Sequence, residues 1–321
     1  MKLLTFLFLL LSGCILTHSR LSLEYAGMAL DLWFRNMIPS LLPFMIISGI
    51  MIRLKLTDKA AMLIYPAVMP VYRVRKNVCY AMLIGFLCGF PMGARVVGDL
   101  YTRQMITKRE AEYLLSFCNN IGPVYFCSFG LPLLERQLVF PYLFGMYGIP
   151  LLYGLALRFT LFRDVPAPQH RHSAALVSCE EDCTMPRNEQ DRSESLGKRL
   201  LAETDDAIHS AVWGILSLGG YMILYNLLNL IPHILLGRPM KLLSPLLEIT
   251  GGLKFVGNSQ PLYSLLALSF GGLCCIAQTY SCIGESGLSI GRYIQHKLML
   301  TALNCLFYFC WFQMLPASFL R

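Results

Sequence analysis

Long apolar runs, at 38–52, 78–92 and 298–315, constrain this chain more than any other feature, because a water-soluble fold has nowhere to put them. In hydrocarbon every backbone polar group needs an internal partner, so such runs fold as helices. Composition agrees: 55% of the 321 residues are hydrophobic and 14% charged, against about 25% charged in soluble proteins. The expected fold class is all-α, a polytopic transmembrane helix bundle placed as a multi-pass protein in a cell membrane. A soluble enzyme is excluded by the same argument.

Apolar segments fall at 3–17, 32–52, 60–72, 78–92, 121–134, 138–162, 207–231, 242–256, 262–283 and 298–315. A crossing takes about 20 residues, so the shorter pieces, bounded by Gly and Pro, predict broken or re-entrant helices. Between 163 and 206 the chain turns polar, with Pro166, Pro168, Glu180, Glu181 and Asp182, and predicts a flexible linker. The expected organisation is an N-terminal membrane half 1–162, the linker 163–206 and a C-terminal membrane half 207–321. Lys2 and the run to Leu16 resemble a signal sequence, and Leu11-Ser12-Gly13-Cys14 resembles a lipoprotein box. One lone Lys and apolar periodicity resuming after Arg20 favour a retained first helix.

The net charge of +8 comes from 27 Lys+Arg against 19 Asp+Glu, clustered at block ends as Arg53, Lys55 and Lys59, or Arg73, Arg75 and Lys76. These read as topology anchors for anionic headgroups, and no nucleic acid is expected. Of 12 cysteines, most lie in apolar blocks and act as small hydrophobes. Cys179 and Cys183 stand near His170 and His172, but a second ligand pair of the zinc type is missing, so no metal is expected. Nor is there a nucleophile elbow, a phosphate-binding Gly-Lys loop or a His-Glu-x-x-His pair, so neither catalysis nor a cofactor is expected.

When Gly89 is laid on Gly272, Ala94 falls on Ala277, Arg95 on Gln278 and Arg109 on Arg292. Two internal repeats with interrupted helices in matching places are the sequence mark of a secondary transporter. Whether the repeats are inverted depends on the number of crossings. Gly85, Gly89, Gly93 and Gly98 with Pro91 predict a helix break near Gly89, freeing main-chain groups for a ligand; close helix packing would need the same glycines. Arg95 then stands either beside an anionic ligand or at a headgroup. Asn119 and Asn120 before Gly122-Pro123 can hold a polar ligand or cap a helix. Glu248, with Thr250 and the Gly251-Gly252 pair, is a carboxylate inside an apolar segment and a candidate for solute or ion handling. The candidate substrate-binding set is Gly89, Pro91, Gly93, Arg95, Asn119, Asn120, Glu248, Thr250 and Gln278.

Taken in order, Leu41-Leu42-Pro43-Phe44, Gly89 to Arg95, Ser116 to Pro123, Leu247 to Gly252, and Gly271-Gly272-Leu273 with Ala277-Gln278 resemble the YlbJ-type family of sporulation integral membrane proteins. That family belongs to the wider group carrying the nucleoside-recognition Gate domain, related to concentrative nucleoside transporters. The resemblance implies a bacterial inner or forespore membrane and carriage of a small polar solute in spore formation. It implies dipicolinate as that solute, a dianion suited to Arg95 and to helix N-termini. Asn120 stands where the family usually carries Thr or Ser, and Cys274-Cys275 where it usually has a polar pair. The expected function is a secondary carrier for a small polar or anionic solute, with sodium or a proton as coupling ion and a homo-oligomer left open. The alternative is a structural or assembly protein that recruits partners through the 163–206 linker.

Overall fold

The computed structural model describes residues 2–130, 132, 138–167, 189–256 and 259–314. Among the described residues the regular structure is helical, with one isolated antiparallel bridge between Gly89 and Ile121, as backbone in lipid requires. Helix α1 spans Lys2–Thr17, and α2 runs without interruption over Ser19–Arg53, through a π turn at Trp33–Met37. Short helices α3 (Thr57–Ala61) and α4 (Tyr65–Tyr72) lead to α5 (Lys76–Cys88) and α6 (Met92–Thr102). Then come α7 (Lys108–Leu115), the short α8 (Pro123–Tyr125) with a π turn at Phe126–Gly130, and α9 (Val139–Phe159).

The second part begins with α10 (Glu189–Leu227) and α11 (Leu230–Leu236). It continues with α12 (Ser244–Leu247), α13 (Ile249–Val256), α14 (Pro261–Phe270), α15 (Gly272–Ile283) and α16 (Ile290–Met314). Among the described residues four helices, Ser19–Arg53, Val139–Phe159, Leu200–Leu236 and Pro261–Ser286, are long and apolar enough to cross a membrane. Large apolar side chains face outward around the bundle, among them Phe6, Leu16, Phe34, Leu63, Phe140, Trp213, Leu306 and Phe309. In water such a surface would aggregate; against acyl chains it is at equilibrium.

The polar stretch expected to be a flexible linker differs in its second part. Residues 189–206 form the start of α10, because Glu, Arg, Leu, Lys and Ala there are all good helix formers and no Pro interrupts them. Cys179, Cys183, His170 and His172 lie outside the described residues.

Two glycine positions make the helix breaks. Gly89 ends α5 at φ +75° and ψ −162°, a conformation open only to glycine. A Cβ there would also collide with the main chain of Gly122. At the other break Gly271 and Gly272 both sit at φ +81°, and a Cβ on Gly272 would lie 3.0 Å from the Pro245 carbonyl oxygen. Each break therefore touches the unwound backbone of a partner hairpin. Phe90 N–H donates to Asn120 O at 2.7 Å, which binds the break after α5 to the one before α8. The break between α14 and α15 rests in the same way on the α12–α13 turn.

Helix α7 closes one end of this core. Thr107 and Glu110 form a reciprocal capping box, with Thr107 N–H donating to Glu110 Oε2 at 2.7 Å. Glu110 is fully buried and also pairs with Arg75, whose Nε donates to Oε1 at 2.7 Å. That hydrogen bond raises the Arg75 guanidinium above its ordinary pKa.

Candidate functional site

The breaks converge on a buried cavity. Its walls are Met37, Ser40 and Leu41 beside the π turn of α2; Cys88, Phe90 and Pro91 of the first break; and Ile121, Gly122 and Tyr125 of the second. Leu218 and Met222 of α10, Glu248 to Thr250 of the α12–α13 turn, and Cys275 and Gln278 of α15 complete it. The volume of about 30 Å³ has room for one or two water molecules.

Glu248 is the acid of this cavity and is 2% exposed. The chain leaves α12 at Glu248 in an extended conformation and re-enters a helix at Ile249, so its side chain folds over the first free amides of α13. Oε1 accepts from Thr250 N–H at 2.9 Å, and Oε2 accepts from Gly251 N–H at 2.6 Å. Asn226 of α10 donates its side-chain amide to Oε2 at 2.9 Å. Backbone donors at a helix start favour negative charge, and the three bonds give both carboxyl oxygens a partner. Tyr125 donates its hydroxyl to Thr250 Oγ1 at 3.3 Å, tying α8 to the same turn.

The Asn pair binds the halves together and does not line the cavity. Asn119 Oδ1 accepts from Ala94 N–H at 3.3 Å, one of the unpaired amides at the start of α6. Its Nδ2 donates to Thr279 Oγ1 at 2.9 Å and to Tyr293 Oη at 3.2 Å. Asn120 Nδ2 donates to Phe117 O at 2.7 Å, and its Oδ1 accepts from Lys297 at 3.3 Å. Asn119 thus performs the capping role, and it joins α6 to α15 and α16 in one step.

Of the residues read from sequence, Pro91, Glu248, Thr250 and Gln278 meet at the cavity, with Gln278 Nε2 donating to Cys274 Sγ at 3.1 Å. Gly89 shapes the break behind it. Gly93 serves packing: a Cβ there would lie 2.6 Å from Cys118 O and 3.2 Å from Asn119 Oδ1. Arg95 is not at the cavity. Two residues beyond Gly93 it is turned by about 200° around α6, and its guanidinium donates to both Ser210 O and Ser210 Oγ at 2.7 Å. It belongs to a separate ionic cluster with Arg53, Asp99 and Arg103 between α2, α6 and α10.

Four residues of the site went unread. Lys297 stands at the edge of the 298–315 block and looks like a flanking anchor, yet it is 2% exposed. Asn226 is a lone amide in the 207–231 block; a polar side chain inside a span was the available signal. Cys88 and Cys275 line the cavity but carry no signature beyond apolar neighbours.

No family model matches the chain, and no solved structure matches it. Over 337 aligned residues it is 26% identical to the sporulation integral membrane protein YlbJ of Bacillus subtilis, an alignment covering 91% of this chain and 78% of that protein. The chain is thus a multi-pass membrane protein, and its similarity to YlbJ along nearly its whole length supports a place in the YlbJ-type family of sporulation integral membrane proteins.

Proposed function

We propose that this chain is a secondary carrier, not an enzyme, which moves a small polar or anionic solute across the membrane. One observation carries the reading: main-chain breaks at Gly89, at Ile121-Gly122 and at Glu248 share a single cavity with Gln278. Broken helices offer unpaired main-chain groups at membrane depth, where they are tolerated only beside protein or a water-filled path. The collapsed volume fits one state of a site that opens to each side in turn.

Two related halves are part of this proposal. Gly89 and Gly272 both stand at positive φ at helix breaks, and α5–α6 parallels α14–α15 around them. The resemblance to Gate-domain proteins and the similarity to a sporulation protein direct the choice of solute toward dipicolinate during spore formation. The test is uptake into proteoliposomes holding the full-length protein, against dipicolinate, other small dicarboxylates and nucleosides, with sodium and proton gradients imposed separately. Saturable uptake that Glu248→Gln and Gln278→Ala each lower by tenfold or more is the expected result. Uptake no faster than in empty vesicles across the panel would remove the carrier reading.

A further inference from the structure

Lys297 is a buried lysine without an acidic partner. Its Nζ donates to Asn119 O at 3.4 Å and to Asn120 Oδ1 at 3.3 Å, both long bonds to neutral oxygens. The ring of Phe90 lies 6.0 Å away. Among the described residues no carboxylate forms an ion pair with it. The titratable groups around it are committed elsewhere. On α16, Tyr293 accepts from Asn119, and His296 shares a hydrogen bond with Tyr153 of α9. On α7, Glu112 pairs with Arg292, and Tyr113 donates to Gly154 O. Tyr147 of α9 donates to Ile121 O, and Tyr263 of α14 donates to Leu242 O. From α15, Cys275 lies within electrostatic range of both Lys297 and Glu248.

The two titratable groups at this site therefore differ in their surroundings. Glu248 accepts from two main-chain amides and from the Asn226 side-chain amide, so both its oxygens have donors. Lys297 has no such support, and an unpaired ammonium in a water-poor interior is disfavoured relative to the neutral amine. An anion placed next to it reverses that balance. Phe90 and Cys275, its neighbours, are cavity walls, so a solute that displaces the Phe90 ring reaches it.

We propose that Lys297 is the coupling group of the carrier: the neutral amine takes one proton from the water phase to which the cavity opens as an anionic solute enters, and returns it when the solute leaves. Proton and anion bind with mutual preference because linkage is reciprocal. This rests on the carrier reading above and adds to it the ion and the residue.

Two measurements separate the two claims. Binding of dipicolinate to purified full-length protein, by equilibrium dialysis between about pH 6 and 9, where carboxylates do not titrate, needs no transport. Wild type is expected to bind at least tenfold more tightly at the acid end, and Lys297→Met to bind weakly with no pH dependence. Lys297→Arg, which keeps the charge and cannot release it, is expected to bind with no pH dependence. In proteoliposomes with a pH-sensitive dye inside and the membrane potential clamped at zero, wild-type uptake is expected to carry protons inward, and the arginine variant none. Wild-type binding that ignores pH, absence of binding at every pH, or proton movement persisting in Lys297→Met overturns the proposal. PH-linked binding without any uptake would overturn the carrier reading and leave Lys297 as a proton-linked anion site.

Discussion

Replacing Glu248 by Gln isolates what the carboxylate does, because the two side chains have the same shape. Three donors converge on the carboxylate: Thr250 N–H on one oxygen, Gly251 N–H and the Asn226 amide on the other. A carboxamide has one oxygen. If that oxygen keeps Gly251 and Asn226, its NH2 points at Thr250 N–H, and one buried amide is left unpaired at about 1–3 kcal/mol. The two retained bonds lose their charge assistance, roughly 1 kcal/mol each. Relief from burying a charge offsets part of this, leaving a net loss of about 2–4 kcal/mol. For a chain of this size that corresponds to a melting-point drop of about 3–6 °C, readable by thermal unfolding in nanodiscs. Glu248→Asp, which keeps the charge, should lose less than the Gln variant. A Gln variant melting within about 1 °C of wild type would refute the reasoning, since the break would not then depend on the anion.

Further expectations follow from the same geometry. Arg95→Ala removes two hydrogen bonds to Ser210; melting should fall by the equivalent of about 1.5–3 kcal/mol, while dialysis should find solute affinity unchanged within twofold, and a tenfold loss would return Arg95 to the site. Gly89→Ala forces a side chain into a glycine-only conformation and against Gly122, at about 1–3 kcal/mol for the backbone alone, and should abolish uptake even where folded protein is recovered. Arg109 holds the Asp164 carboxyl below its ordinary 3.8 through a hydrogen bond. A depressed carboxylate stabilises the fold above its unfolded value and loses that contribution as pH falls through the folded one; the melting difference between wild type and Asp164→Asn should thus be small at neutral pH and vanish in acid.

Sequence alone carries the membrane class and the places where helices break, because long apolar runs and the Gly89-Phe90-Pro91 and Glu248 to Gly252 patterns act locally. It does not carry which break touches which. The hydrogen bond of Phe90 to Asn120, and the close approach of Gly272 to the Pro245 carbonyl, join segments far apart in the chain. Arg95 looks like a ligand-facing cation until helical geometry is followed from Gly93, whose contact with Cys118 turns Arg95 away. Lys297 is hidden for the opposite reason: at the border of an apolar block a lysine resembles a headgroup anchor, and only the packing of α16 against the Asn pair buries it. Residues 189–206 read as linker from charge content, although their composition favours helix equally well.

The central claim is that the converging breaks form the solute's binding site. Cys275 lines the cavity, whereas Cys305 and Cys310 are exposed on α16, so thiol labelling of the reconstituted protein in the presence and absence of dipicolinate tests that claim directly. The account predicts that saturating solute slows maleimide modification of Cys275 at least tenfold and leaves Cys305 and Cys310 unchanged. Equal labelling of Cys275 with and without a solute that the protein demonstrably binds would contradict it.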